Sequence, residues 1–200
     1  VRRLARVAIA EDGALTASDL PEIMAAKHRL LSKANGLSFE YDTANFSDVA
    51  GMKTLKAWLE RRKEIFVSET PPKGLDRPKG VLLIGVQGSG KSLTAKAIAG
   101  VWEVPLLRLD MGSLFNKFIG ETEKNLREAI KTAEAMSPCV LWIDEIEKGI
   151  SSGDDTTGTG DRVLGTILTW MAERKYPVFL AITANSIEAL PPDLIRKGRL

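Results

Sequence analysis

The stretch from Gly85 to Ser92 constrains the fold of this chain more than any other feature. Its sequence, GVQGSGKS, fits the pattern G-x-x-x-x-G-K-[ST] of loops that bind phosphate groups. The four apolar residues 81–84 precede it and predict a strand buried on both faces. Residues 93–99 follow it and predict a helix. Because strand, loop and helix occur in the order that this motif requires, we interpret the stretch as a nucleotide-binding loop rather than a chance glycine-rich turn.

The residue types of the loop suit phosphate chemistry. Glycines let backbone N–H groups turn toward an anion, and the positive end of the following helix favours it. We expect Lys91 to reach the β- and γ-phosphates and the Ser92 hydroxyl to ligate Mg²⁺. The predicted cofactors are therefore ATP and Mg²⁺, and the predicted loop contacts are Gly85, Gln87, Gly88, Ser89, Gly90, Lys91, Ser92 and Leu93.

The composition excludes several classes of protein. Hydrophobic residues make up 44% of the 200 residues, which is enough for a sizeable core. With 28 basic and 26 acidic residues, the net charge of +2 gives no indication of nucleic-acid binding. No apolar run approaches the length of a membrane span. Since Cys139 and His28 are the sole residues of their types, a disulfide and a cysteine or histidine metal site are unsupported, and Cys139 is expected in the core.

Strands and helices alternate after the loop. Apolar runs at 105–109, 139–143 and 178–182 predict three further buried strands. Helical periodicity predicts helices at 121–135 and around 163–171. This alternation predicts an α/β fold, a three-layer P-loop NTPase sandwich with a central parallel sheet and right-handed crossovers.

The residues before the loop are less regular. A helix with a narrow apolar stripe is predicted to end near Gly36 and to lie on a surface as a linker. Residues 39–51 are predicted to be an irregular connector, and 52–66 a single amphipathic helix. We therefore predict that residues 1–40 are a linker or the tail of an N-terminal domain and that 41–200 form the core domain.

Polar residues follow two of the predicted strands. Asp144 and Glu145 come directly after the third strand, and Asn185 follows the fourth. Strand ends in such sheets converge on the nucleotide, so the carboxylates are expected to face the loop, Asp144 to hold Mg²⁺ and Glu145 to take a proton from water. An acidic pair at a solvated strand end is the simpler alternative. Asn185 suits a turn as well as it suits a role in orienting water or sensing the γ-phosphate.

Taken with further segments, these motifs resemble the AAA family of ring-forming ATPases, from about Phe46 to the last residue. FSDVAG at 46–51 resembles the connector that contacts adenine, and residues 114–123 resemble the first pore loop with the helix after it. LWIDE at 141–145 resembles the second nucleotide motif, and residues 192–199 resemble the segment with two arginine fingers. The chain looks most like a little-characterised AAA group of cyanobacteria and algal plastids.

The resemblance implies roles for residues that spacing alone leaves undecided. It assigns Asp48 and Gly51 to the adenine pocket and Asn185 to the γ-phosphate sensor. It implies that Arg196 and Arg199 act as arginine fingers on a neighbouring subunit, so that the partners are copies of this chain in a hexameric ring. Without the resemblance, these arginines would be interpreted as residues of a solvated loop.

The resemblance also implies an unknown protein client. Phe118 and Ile119 are expected to line a central pore and grip a polypeptide, although burial against the following helix is the alternative. Arg162 is equally compatible with a neighbour contact and with an ordinary surface position. The expected location is the cytoplasm, or the plastid stroma if the chain is plastid-encoded.

The predicted function is Mg²⁺-dependent ATP hydrolysis coupled to remodelling or threading of that client. A nucleotide-dependent scaffold with slow hydrolysis is the alternative. A phosphotransferase is disfavoured by the pairing of Glu145 with Asn185 and by the arginine segment, which favour attack by water. The chain begins at Val1 and stops at Leu200 in mid-pattern, so we expect a fragment, with a fifth family strand and a helical lid beyond it.

Overall fold

A five-stranded sheet organises the molecule. The computed structural model describes residues 19–31, 36–115, 121–150, 158–196 and 198–200. The strand order is β1-β3-β4-β5-β2, in which β2 to β5 are parallel and β1 pairs antiparallel with β3. The strands are β1 Leu37–Glu40, β2 Gly80–Ile84, β3 Leu106–Asp110, β4 Cys139–Asp144 and β5 Val178–Ala184. The predicted α/β fold of the P-loop class is confirmed, as are its four parallel strands.

Helices cover both faces of the sheet. They are α1 Leu20–Leu31, α2 Lys53–Glu60, α3 Lys63–Val67, α4 Lys91–Trp102, α5 Met111–Phe115, α6 Glu121–Ala135, α7 Glu147–Ile150 and α8 Thr159–Glu173, with short 3₁₀ helices at Phe46–Asp48 and Pro192–Ile195. The bounds predicted for α6 are confirmed. No helix in the described ranges is both long and apolar enough to cross a membrane.

Two buried clusters lie on opposite faces of the central strands. Leu141 and Ile143 of β4 pack with residues of α6 and α8, whereas Val140 and Trp142 pack with residues of α2, α3 and α4. Every residue of β5 is buried, as expected for a strand covered on both sides. Cys139 is fully buried in the first cluster, as predicted.

Two features differ from the sequence analysis. Residues 37–40, placed in a linker and an irregular connector, form the edge strand β1, where Leu37 pairs with Leu109. The single helix predicted for 52–66 is two helices, α2 and α3. The Leu59 carbonyl accepts hydrogen bonds from Trp102 Nε1 at 3.1 Å and from the Arg62 N–H at 3.1 Å. The helix breaks here because this carbonyl is engaged outside the i to i+4 pattern.

The N-terminal helix α1 packs on the sheet. Its His28 is 7% exposed, and the His28 ring lies 5.6 Å from the ring of Phe39 in β1. Met24 packs against the first buried cluster. The domain boundary at residue 41 stays a prediction, but the sheet already includes residues on its N-terminal side.

Candidate nucleotide site

The loop between β2 and α4 has an open backbone surface. The Gly85 N–H donates to the Ala184 carbonyl at 3.2 Å, so the loop begins beside the end of β5. Gly88 and Gly90 have φ values of 82° and 86°, in the left-handed region that favours glycine. A Cβ built on either glycine would meet no atom within 4 Å. A phosphate group can therefore approach this backbone closely.

Lys91 lies over the loop. Its Nζ donates to the carbonyls of Gly85 at 2.6 Å and Val86 at 2.9 Å, and to Asn185 Oδ1 at 3.1 Å. Ser92 and Leu93 are exposed in the first turn of α4, whose positive dipole end meets the loop. Lys91, Ser92 and the N-terminus of α4 therefore lie together beside the loop, at the carboxyl edge of the sheet.

Asp144 ends β4 next to Thr183 of β5. Because Ile143 is in register with Ile182, the following residues Asp144 and Thr183 are neighbours. The Thr183 hydroxyl donates to Asp144 Oδ1 at 2.9 Å, and Arg108 Nη2 donates to Asp144 Oδ2 at 2.7 Å. Both carboxylate oxygens are therefore held in place from the two neighbouring strands.

Glu145 occupies a tight turn after β4. Its φ is 49°, and its N–H donates to the Thr183 hydroxyl at 3.0 Å. Its carboxylate forms an ion pair with Lys148 and accepts a hydrogen bond from Asn185 Nδ2 at 3.3 Å. The hydrogen bond from Lys148 lowers the pKa of Glu145 and outweighs the opposing effect of burial. The same contact raises the pKa of Lys148.

Asn185 connects the loop lysine with the acidic residues after β4. Its Oδ1 accepts from Lys91, while its Nδ2 donates to Glu145 and, at 2.8 Å, to Glu147 Oε1. The Asn185 backbone N–H donates to the same Glu147 oxygen at 3.0 Å. The structure thus brings Lys91, Glu145 and Asn185 into one hydrogen-bonded group.

The available oxygen atoms suit Mg²⁺ that is shared with phosphates. The described residues contain no group of three or more His, Cys, Asp or Glu side chains that could hold a metal ion. Mg²⁺ typically takes one or two protein oxygens and completes its shell with phosphates and water. The Asp144 carboxylate and the Ser92 hydroxyl are hard oxygens of that kind. This donor set fits Mg²⁺ bound together with a nucleotide and does not fit a site made by protein ligands alone.

Comparison with known families agrees with this site. Residues 81–200, which include the loop and the carboxyl ends of all four parallel strands, match the sequence profile of the ATPase family associated with various cellular activities (AAA). The chain belongs to the AAA family. Residues 1–34 match a separate profile, described as the second domain of SpoVK-like AAA ATPases.

Relatives of this AAA chain come from algae and from an archaeon. It is 45% identical over 201 residues to an "uncharacterized AAA domain-containing protein ycf46" of Guillardia theta, covering all of this chain and 40% of that protein. A protein of the same name from Pyropia yezoensis is 45% identical over 202 residues, covering 41% of its length. The predicted algal plastid group is confirmed. The "proteasome-activating nucleotidase" of Aeropyrum pernix is 33% identical over 197 residues, covering 91% of this chain and 46% of that protein. The chain spans about two fifths of the algal proteins.

The connector assigned to the adenine pocket packs against α4 of the AAA core. A Cβ on Gly100 would lie 2.2 Å from the Ala44 carbonyl oxygen, which shows how closely the backbones approach. Asp48 Oδ2 accepts from the Asn45 N–H at 2.7 Å, so this carboxylate helps to fix the connector. Gly51 has a φ of 71°, in the region that favours glycine. Contacts of Asp48 and Gly51 with adenine stay a prediction.

Neither predicted arginine finger has a hydrogen bond or ion pair with Lys91, Glu145 or Asn185 among the described residues. Arg196 forms an ion pair with Asp193 at 3.3 Å, and its side chain is 74% exposed. Arg199 is half-buried, and its Nη1 has no hydrogen-bond partner among the described residues. Arg162, left open above, donates to Glu123 Oε1 at 2.6 Å. The predicted pore residues Phe118 and Ile119 lie outside the described residues.

Sequence reasoning missed the residues that hold the site residues in place. These residues are Arg108, Glu147, Lys148 and Thr183. Lys148 follows Glu145 by three positions, a spacing that brings side chains together where a helix begins. The contacts of Thr183 and Arg108 with Asp144 depend on the register between strands, which no local pattern in the sequence indicates.

Proposed function

We propose that this AAA chain forms the catalytic part of a Mg²⁺-dependent ATPase. One observation carries the proposal: Lys91, Asn185 and Glu145 form a connected hydrogen-bonded group next to Asp144 and the open loop. A lysine for phosphate, a carboxylate for Mg²⁺ and a second carboxylate for water are the parts that hydrolysis of a phosphoanhydride needs.

Each residue has a defined part in the proposed reaction. Lys91 and the loop N–H groups would bind the phosphates, and Ser92 and Asp144 would hold Mg²⁺, which when bound would neutralise phosphate charge. A water oxygen attacks the γ-phosphorus while the bond to the β,γ-bridging oxygen breaks, and Glu145 takes the proton of the water. Asn185 orients the water or contacts the γ-phosphate. In the present arrangement Glu145 pairs with Lys148, so this contact has to yield before Glu145 acts as the base.

We further propose that the active assembly is a ring, hexameric as the AAA resemblance implies. The exposure of Arg196 supports this, because a side chain in solvent is able to reach a neighbouring copy. In such a ring, Arg196 and Arg199 would stabilise charge on the neighbour's γ-phosphate, an effect of about a thousandfold or more in rate. Phe118 and Ile119 would contact an unknown protein client in the pore. The location would be the cytoplasm or a plastid stroma.

The ion pair between Glu145 and Lys148 favours a second candidate function. A base held by a cation is consistent with slow hydrolysis, as in a scaffold whose output is nucleotide-dependent assembly. The two functions differ in turnover rather than in binding.

Steady-state ATP turnover of the full-length protein, measured per protomer over a wide range of protein concentration, tests the proposal. We expect turnover that rises with concentration, is lost in Arg196→Ala, and is lost in Glu145→Gln while ATP binding persists. ATP binding without turnover at any concentration would favour the scaffold. Unchanged turnover in Glu145→Gln would contradict the assignment of the base.

A further inference from the structure

Glu147 makes a double contact with Asn185. A single oxygen, Oε1, accepts from the Asn185 backbone N–H at 3.0 Å and from the Asn185 side-chain nitrogen at 2.8 Å. One carboxylate oxygen therefore holds both the main chain and the side chain of the same residue. The contact closes a small ring of hydrogen bonds and leaves the side chain of Asn185 little rotational freedom.

The groups that surround the Asn185 side chain determine the orientation of its amide. A carboxylate accepts hydrogen bonds and an ammonium group donates them. The Asn185 nitrogen must therefore face Glu147, and the oxygen must face Lys91, whose Nζ lies 3.1 Å away. The second N–H of the amide then lies toward Glu145, 3.3 Å away. Glu147 thereby sets a donor beside the proposed base and an acceptor beside the phosphate-binding lysine.

Glu147 is well placed for this purpose in the fold. It is the first residue of α7 and follows the end of β4, which carries Asp144, and the turn, which carries Glu145, whereas Asn185 follows the neighbouring strand β5. The contact therefore ties together the two chain segments that supply the base and the sensor. Lys148, the next residue, holds Glu145.

We propose that Glu147 is a positioning residue of the ATPase site, acting through Asn185. It fixes the orientation of the Asn185 amide relative to Lys91 and Glu145, and it has no contact with the reacting atoms. This inference rests on the proposed function for its effect on turnover, but the orientation of Asn185 can be tested without nucleotide.

A double-mutant cycle tests the effect on turnover. In Glu147→Ala the amide loses its fixed orientation, and we expect kcat to fall on the order of tenfold to a hundredfold, with ADP affinity within twofold of wild type. Glu147→Gln retains an acceptor oxygen and should recover most of kcat. Because Glu147 acts through Asn185, the double variant Glu147→Ala/Asn185→Ala should be no slower than Asn185→Ala alone. Glu188→Ala, which removes an exposed acid nearby, should leave kcat unchanged.

The position of the amide can be measured on the nucleotide-free protein. With ¹⁵N-asparagine labelling, the side-chain signal of Asn185 is assigned by its loss in Asn185→Asp. We expect Glu147→Ala to shift this signal and to speed exchange of the Asn185 backbone N–H at least tenfold, and Glu188→Ala to do neither. An unmoved signal in Glu147→Ala, or additive losses of kcat in the cycle, would overturn the proposal. If the signal moves as expected but the wild type does not hydrolyse ATP, the positioning stands and the proposed function fails.

Discussion

The Thr183 hydroxyl donates a hydrogen bond to Asp144 Oδ1 at 2.9 Å. It also accepts a hydrogen bond from the Glu145 N–H at 3.0 Å, and Thr183 itself is 1% exposed. One buried hydroxyl therefore fixes the proposed Mg²⁺ carboxylate and the turn that carries the proposed base.

Replacement of Thr183 by Val removes this hydroxyl and keeps the shape of the side chain. The Glu145 N–H would lose its acceptor and Asp144 one of its donors, which should cost about 1–3 kcal/mol in the free energy of unfolding. We also expect a higher Mg²⁺ concentration for half-maximal ATP binding, because Asp144 is held less firmly. Urea unfolding and Mg²⁺ titrations measure the two effects. Thr183→Ser retains the hydroxyl and should resemble wild type, whereas a Val variant with wild-type values would contradict this role.

Arg108 holds the other oxygen of Asp144, at 2.7 Å, and its guanidinium lies 4.8 Å from the centre of the Trp142 ring. A positive charge at this point repels a divalent cation on the same carboxylate. In Arg108→Gln we expect the Mg²⁺ concentration for half-maximal ATP binding to fall roughly fivefold, equivalent to about 1 kcal/mol of removed repulsion. Arg108→Lys keeps the charge and serves as the control. If the half-maximal Mg²⁺ concentration fell equally in both variants, or rose in Arg108→Gln, the electrostatic argument would be contradicted.

Replacement of two helical glycines by alanine should change the stability of the fold in opposite directions. A Cβ on Gly100 in α4 would lie 2.2 Å from the Ala44 carbonyl oxygen of the connector, whereas a Cβ on Gly165 in α8 would meet nothing within 4 Å. Gly100→Ala should therefore destabilise the fold by about 1–3 kcal/mol and weaken ATP binding through the displaced connector. Gly165→Ala should stabilise the fold by roughly 0.5–1 kcal/mol, because alanine favours the helix. Urea unfolding measures both changes in stability. Equal changes in the free energy of unfolding of the two variants would show that backbone contact at Gly100 is unimportant.

Local sequence patterns were sufficient for the parallel strands, since their apolar runs and the residues that follow them are contiguous in the chain. They were insufficient for β1, because its existence depends on pairing with β3 some seventy positions away, where Leu37 meets Leu109. Local patterns also do not predict the break between α2 and α3, since it depends on the hydrogen bond from the indole of Trp102 to the carbonyl of Leu59.

The same distinction holds for the candidate site. The proximity of Lys91, Asp144, Glu145 and Asn185 follows from one rule, that parallel strands end at a common edge. The contacts of Thr183 with Asp144 and of Glu147 with Asn185 depend on strand register and on the turn after β4, so the sequence does not reveal them.

The packing of α1 on the sheet predicts a pH dependence of stability. Burial lowers the pKa of His28 below its ordinary value of 6.5, and its Nε2 has no hydrogen-bond partner among the described residues. The unfolded chain therefore binds a proton at a higher pH than the folded chain does. The contribution of His28 to stability is present above pH 6.5 and is lost as the pH falls through the folded pKa.

Substitution of His28 by Leu removes this titration and keeps an apolar contact with Phe39. Below pH 6.5 we expect the free energy of unfolding of wild type to decrease relative to that of His28→Leu, and the difference to be constant above pH 7.5. Urea unfolding of both proteins between pH 5 and pH 8 measures the difference, in which the titrations of all other groups cancel. A difference that does not change with pH would mean that His28 is solvated and that α1 does not pack on β1 in solution.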